Sequence, residues 1–158
     1  MAKSIIGLDR LNRKLKKLPA AAERAIREAM AAGADEIVAM MASLVSVDSG
    51  DLRGSIGWAF GEAPKGALKL ATVKAANGKT VITIYAGNSE AFYARWVEFG
   101  TAAHTAGGMF NGSTIPAIPA SPFFYVSFRS LRRRTKSRIT RAITQSAKQV
   151  AAGGGSSS

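Results

Sequence analysis

Leu8, Leu11, Leu15 and Leu18 recur at spacings of three and four, which sets four leucines on one face of a short helix. Arg10, Arg13, Lys14, Lys16 and Lys17 fall mostly elsewhere on it. Pro19 suits the first turn of a second helix, where its missing N–H would have lacked a partner in any case. Ile26, Met30, Gly33, Ile37, Met40, Met41 and Leu44 then keep helical spacing up to Val47. This predicts a long core-facing helix near 19–47, with Gly33 on its packed face leaving room for another backbone. The pattern breaks at Asp48-Ser49-Gly50-Asp51, where Gly50 can turn left-handed and Ser49 or Asp51 can cap a following turn. Leu68–Ala75 and Val81–Ala86 are rich in β-branched and apolar residues, and Asn77-Gly78 between them is a strong two-residue hairpin signal. Ile56–Phe60 is the expected third strand. In Ala91–Phe99, Phe92, Tyr93, Trp96 and Val97 fall at helical intervals, giving a short aromatic helix that stops at Gly100.

Thr101–Ser121 has no periodicity and holds Gly107-Gly108, Asn111-Gly112 and Ile115-Pro116-Ala117-Ile118-Pro119, so it reads as a long loop, functional or disordered. Ser121-Pro122 is a suitable start for a final helix, expected over 122–150. Phe124, Phe128, Leu131, Thr135, Ile139, Ala142 and Val150 share about a third of its circumference, and Arg and Lys occupy the rest. The expected fold is α+β: a small, mainly antiparallel β-sheet flanked by an N-terminal and a C-terminal long helix. One domain is expected over 1–152, followed by a flexible Gly/Ser tail over 153–158.

Charge sharpens this picture. The chain has 158 residues with a formal charge of +12, distributed as +3 over 1–40, +1 over 41–100 and +8 over 101–158. The last third contains no acid at all. Such a segment repels itself unless it meets phosphate or an acidic partner. The candidates for that contact are Arg129, Arg132, Arg133, Arg134, Lys136, Arg138 and Arg141 on the last helix, facing DNA or an acidic protein. The absence of cysteine excludes disulfides and thiolate metal sites, and a single histidine removes most imidazole sites, so neither metal nor other cofactor is expected. Met1–Arg10 lacks the apolar core of a secretory signal, which predicts a protein that stays in the cytosol where it is made. The most apolar uncharged run, Ile37–Val47, is too short to cross a bilayer. The longer uncharged stretch Phe99–Phe128 is broken by three prolines and four glycines, so no membrane contact is expected.

No enzyme signature survives inspection. Gly78-Lys79-Thr80 resembles the end of a phosphate-binding loop, but Val73 stands where the first glycine must be, and a strand follows where a helix is required. His104 has no acid near it in sequence to orient it as a general base, and it reads as a solvated or hydrogen-bonded loop residue. Glu90 and Glu98 read as exposed or capping acids rather than a catalytic pair. Glu98 is unusual because it lies inside Trp96-Val97-Glu98-Phe99-Gly100. Two readings stand: a partly buried pair with Arg53, or a carboxylate pointing to water.

Three segments carry a resemblance. Val47–Ile56 (with Gly50, Leu52, Arg53 and Ser55), Tyr93–Thr101 (with Tyr93, Glu98, Phe99, Gly100 and Thr101) and Pro119–Phe124 (with Pro119, Pro122 and Phe123) resemble, in order, the signatures of a tail-component family of long-tailed bacteriophages, of the gene-product-ten type. Ser46 and Ser49 stand where that family often has Pro and Thr, and Val126 and Ser127 where a second Pro is usual. The resemblance implies a non-enzymatic virion protein, a homo-oligomeric ring of six copies at the head–tail junction or tail terminus, assembled in the host cytoplasm. It implies as partners the adjoining neck and tail-tube proteins, with non-specific DNA in the channel. The competing reading is a stand-alone basic nucleic-acid-binding protein, supported by charge alone.

Overall fold

The computed structural model describes residues 20–45, 50–69, 73–74, 81–89 and 91–153. The leucine-faced segment at 8–18 and the Asn77-Gly78 turn lie outside them. Helix α1 (Ala20–Leu44) is followed by the short α2 (Asp51–Gly54) and by strands β1 (Gly57–Phe60), β2 (Leu68–Lys69), β3 (Val73–Lys74) and β4 (Val81–Ala86). Next come α3 (Ala94–Phe99), β5 (His104–Thr105), a 3-10 turn (Gly108–Phe110), β6 (Thr114–Ile115) and the 30-residue α4 (Phe124–Gly153). The expected α+β architecture is the one observed: two long helices and a small antiparallel sheet.

Strand β4 is central, with β1 antiparallel on one edge and β2 and β3 antiparallel to it on the other. β3 and β4 pair antiparallel with Lys74 opposite Val81, the strand pairing expected of this segment. The single apolar segment expected over Leu68–Ala75 pairs as two short strands whose registers differ by one residue. Because β4 has neighbours on both edges, Ile82, Thr83, Ile84 and Ala86 are all buried, and the Thr83 hydroxyl donates to the Gly61 carbonyl at 2.6 Å.

Met30, Ala34, Ile37 and Met41 form the buried stripe of α1, and Phe123 and Phe124 fill the core from the start of α4. The Trp58 indole N–H donates to Asp35 at 2.7 Å, and the Arg27 guanidinium lies 4.2 Å above the Phe60 ring, so β1 is tied to α1 by polar contacts as well. The two long helices pack chiefly against each other. Where they meet, a Cβ on Gly33 would collide with the Thr135 methyl group. Gly33 therefore does admit a close approach, by a side chain of α4 rather than by a backbone. Gly33→Ala is expected to cost about 1–3 kcal/mol through overpacking, despite the better helix propensity of alanine. Thr135→Ala in the same chain should recover most of the loss, because the buried Thr135 hydroxyl makes no hydrogen bond. Paired denaturation curves read both effects.

Candidate interaction surface

The loop after β4 turns sharply at Gly87, and the Asn88 side chain accepts the Ala91 N–H at 2.7 Å. The Tyr93 carbonyl then accepts the N–H groups of Trp96 and Val97, starting α3. Only small or polar side chains fit on the inner face, where Ala91, Ala94 and Glu98 are buried. The aromatic residues are left outside: Phe92, Trp96 and Phe99, spaced four and three apart, are 55%, 47% and 57% exposed, and Phe92 meets Trp96 edge-on at 5.3 Å. The pattern foretold an aromatic helix, and its aromatic side faces solvent.

Glu98 is 4% exposed: neither the Arg53 pair nor a carboxylate pointing to water holds, and of the expected roles it is the capping one that it takes. One carboxylate oxygen accepts the N–H groups of Phe123 (2.8 Å) and Phe124 (2.9 Å), and the other accepts that of Tyr125 (3.1 Å). It caps the start of α4 from a helix 25 residues upstream, satisfying amides that no intrahelical carbonyl can reach and placing negative charge at the positive end of the dipole. Arg53 is exposed and forms no pair with it, since backbone amides already occupy both oxygens. Ser121, the expected cap, instead donates its N–H to the Val97 carbonyl at 2.8 Å, joining the same two elements.

Between α3 and α4 the expected irregular loop is a hairpin arm. Thr101 and Ile118 exchange backbone hydrogen bonds at 2.9 and 3.0 Å, β5 pairs antiparallel with β6, and the Ala106 N–H donates to the Ser113 carbonyl at 2.8 Å. Near the tip, Met109 is 94% exposed. At the base, Gly100 holds φ 70°, ψ 177°, and its α-carbon lies against the Ile118 carbonyl and the Ala120 amide. His104 donates locally through Nδ1 to the Ala102 carbonyl at 3.1 Å, the hydrogen-bonded histidine that the sequence suggested.

The cationic face of α4 is divided. Arg134 and Arg138 both pair with Glu36 of α1, Arg134 at 3.2 Å, so two of the seven candidate contacts are answered within the chain. Arg129, Arg132, Arg133 and Lys136 are exposed and fall within about 100° of arc over two turns, and Arg141 is exposed to one side of them. Hydrogen bonding from Arg138 holds the Glu36 carboxyl below the ordinary carboxylate range, against a smaller opposing effect of partial burial and with added attraction from both arginine charges. A depressed folded-state pKa means the stabilisation is fully present above the unfolded value, about 4.3, and is lost as pH falls through the lower folded value. The stability gap between wild type and Glu36→Gln should thus be constant near neutrality and close on acidification below that range, as denaturant midpoints measured against pH will show.

The remaining expected positions take structural places. Gly50 is left-handed at φ 87°, Leu52 is in the core, and the Ser55 hydroxyl donates to the Leu52 carbonyl (2.7 Å) while accepting the Gly87 N–H (3.1 Å). Phe123 is fully buried, Tyr93 is half-buried, and Pro119 and Pro122 are exposed on either side of Ser121. Glu90 lies outside the described residues. Sequence reasoning missed Glu36, whose partners are about 100 residues away, and the outward stripe, which the alanines at 91 and 94 opposite Phe92, Trp96 and Phe99 would have signalled. Among the described residues no cluster of His, Asp and Glu could hold a metal ion, and no helix is long and apolar enough to cross a membrane.

Residues 9–100, 92 of the chain's 158, match the HK97-gp10-like family model, described as "Bacteriophage HK97-gp10, putative tail-component". The match ends at the base of the arm, so the Pro119–Phe124 segment lies beyond it. No curated protein and no solved structure matches the chain.

Proposed function

Since the chain belongs to the HK97-gp10-like family of bacteriophage tail components, we propose that it acts without catalysis as a single domain over 1–152 that assembles into a ring of six copies. The ring sits at the head–tail junction or the tail terminus, joins tail to head, and encloses the DNA channel. Its partners are the adjoining neck and tail-tube proteins of the virion. The observation that carries this reading is where the motif residues of the sequence end up. Glu98, Gly100, Thr101 and Phe123 converge on the joint that holds an exposed arm and an exposed aromatic stripe in place. Glu98, the one buried charged residue among those described, spends both oxygens on three backbone amides, which is a structural task. Electron microscopy of the purified protein, alone and with tail tubes, tests it: sixfold rings capping tubes are expected, and a monomer that leaves tubes bare would overturn it.

Four exposed cations on one strip of α4 favour a second contact, with phosphate in the channel. Removing one such phosphate contact should lower the log–log salt slope of DNA binding by about 0.9. Replacing Arg129, Arg132 and Arg133 with Ser is therefore expected to flatten that slope by up to about 2.7 in a titration at several salt concentrations, with no dependence on sequence. If DNA binding is unchanged but head–tail joining fails, an acidic surface of a neighbouring ring is the partner instead. DNA binding by a protein that never forms rings would select the stand-alone nucleic-acid binder.

A further inference from the structure

We propose that the arm of one copy seats its tip on the aromatic stripe of the next, a contact that rests on the ring reading above and specifies how its subunits meet. Both surfaces are apolar, exposed and carried by the same chain: Met109 near the arm tip, and Phe92, Trp96 and Phe99 on α3. The arm cannot readily serve its own stripe. Its ladder begins at Thr101↔Ile118, two residues after Phe99, and continues through β5 and β6. The chain from Thr101 to Met109 can carry the tip up to about 26 Å from that base. Folding the tip back onto α3 would break the ladder.

Charge selects the occupant. Two copies of a +12 chain repel, so they approach at least cost where cations are fewest, and Arg95 is the one cation of α3 beside the stripe. The run from Phe99 to Phe128 contains no Asp, Glu, Lys or Arg, and its 30 residues include the whole arm and the last residue of the stripe. A thioether against aromatic edges is a favourable and adaptable contact. The hydrogen-bonded ladder and the prolines at 116 and 119 limit the entropy the arm loses on docking. Tip and stripe are different patches, so the contact can run head-to-tail around a ring; a wild-type assembly that stops at two copies would mark a reciprocal twofold exchange of arms and overturn the ring.

The chain has no cysteine, which permits a direct test. Arg95→Cys, exposed beside the stripe, and Asn111→Cys, exposed beside the tip, are prepared separately, mixed, and treated with a short bis-maleimide. Intermolecular crosslinks are expected in the mixture and not in either variant alone. Adding Met109→Lys should abolish them and raise the concentration needed for assembly at least tenfold, with the circular dichroism spectrum unchanged. Three results would overturn the contact: Asn111→Cys crosslinking to itself as efficiently as in the mixture; Arg95→Cys crosslinking within one chain to Leu11→Cys, which would put the N-terminal leucines on the stripe; or Met109→Lys assembling like wild type. If wild-type rings are still seen in those cases, the ring reading stands without this contact. Open filaments bearing the mixed crosslink would sustain the contact and overturn the closed ring, and a wild type that never associates would overturn both.

Discussion

Glu98→Ala is expected to destabilise the protein by about 3–5 kcal/mol, a large part of the roughly 5–15 kcal/mol that holds a domain of this size together. Three amides lose their acceptor at once, and those of Phe123 and Phe124 belong to residues with no exposed surface. A buried donor left without a partner costs about 1–3 kcal/mol, and loss of a helix cap alone typically costs about 1 kcal/mol. The expected total is below the simple sum because water can reach the Tyr125 amide once the side chain is gone. Glu98→Gln keeps one acceptor oxygen but turns an amide NH2 toward the remaining donor, so it should cost less, about 1–2 kcal/mol. Urea denaturation of the two variants gives the ordering. Equal and small losses would mean that the cap is dispensable. A loss for Arg53→Ala as large as that for Glu98→Ala would revive the ion pair that the structure replaces.

Gly100→Ala should be nearly as damaging, by about 3 kcal/mol or more. With φ 70° and ψ 177° the residue occupies a region that is nearly closed to side chains, at about 1–3 kcal/mol. A Cβ there would also stand 2.6 Å from the Ile118 carbonyl oxygen and 2.8 Å from the Ala120 amide nitrogen. Both are backbone atoms, held by the Thr101↔Ile118 bridge and unable to swing aside as a flexible side chain could. Gly112, also at positive φ but with nothing near its α-carbon, isolates the conformational cost alone, and Gly112→Ala should lose only about 1–2 kcal/mol. Hydrogen exchange separates the two further: Gly100→Ala should expose the Thr101 and Ile118 amides, which Gly112→Ala leaves protected. Similar destabilisation in both variants would place the arm's base elsewhere.

Periodicity located both long helices and the inward face of α4, and β-branched enrichment beside Asn77-Gly78 located the strand Val81–Ala86, because these signals are local. Met30, Ile37 and Met41 fall on one side of α1 whatever it packs against, and Asn77-Gly78 implies a hairpin through the backbone it permits. The motif positions from Gly50 to Phe123 were legible as positions, and their tasks were not. Hydrogen-bonding capacity in a side chain says nothing about which distant amide will fall within about 3 Å of it. Glu98 could equally have met an arginine or water, and only the docking of α3 against the start of α4 left three unpaired N–H groups there instead. The same holds for Glu36, which two arginines of another helix neutralise, and for Gly33, whose missing side chain makes room for Thr135. The direction of the aromatic stripe was likewise a tertiary outcome. Burying Phe92, Trp96 and Phe99 would have gained more from the hydrophobic effect than burying Ala91 and Ala94, but the Ala94 methyl packs so close to Gly87 that even a Cβ there would lie 3.2 Å from it, leaving no room for an aromatic ring. Sequence by itself determined which segments are regular and which faces are apolar. Tertiary structure decided which apolar faces close on the core and which stay open, because close packing depends on the volume available between elements that are far apart in the chain.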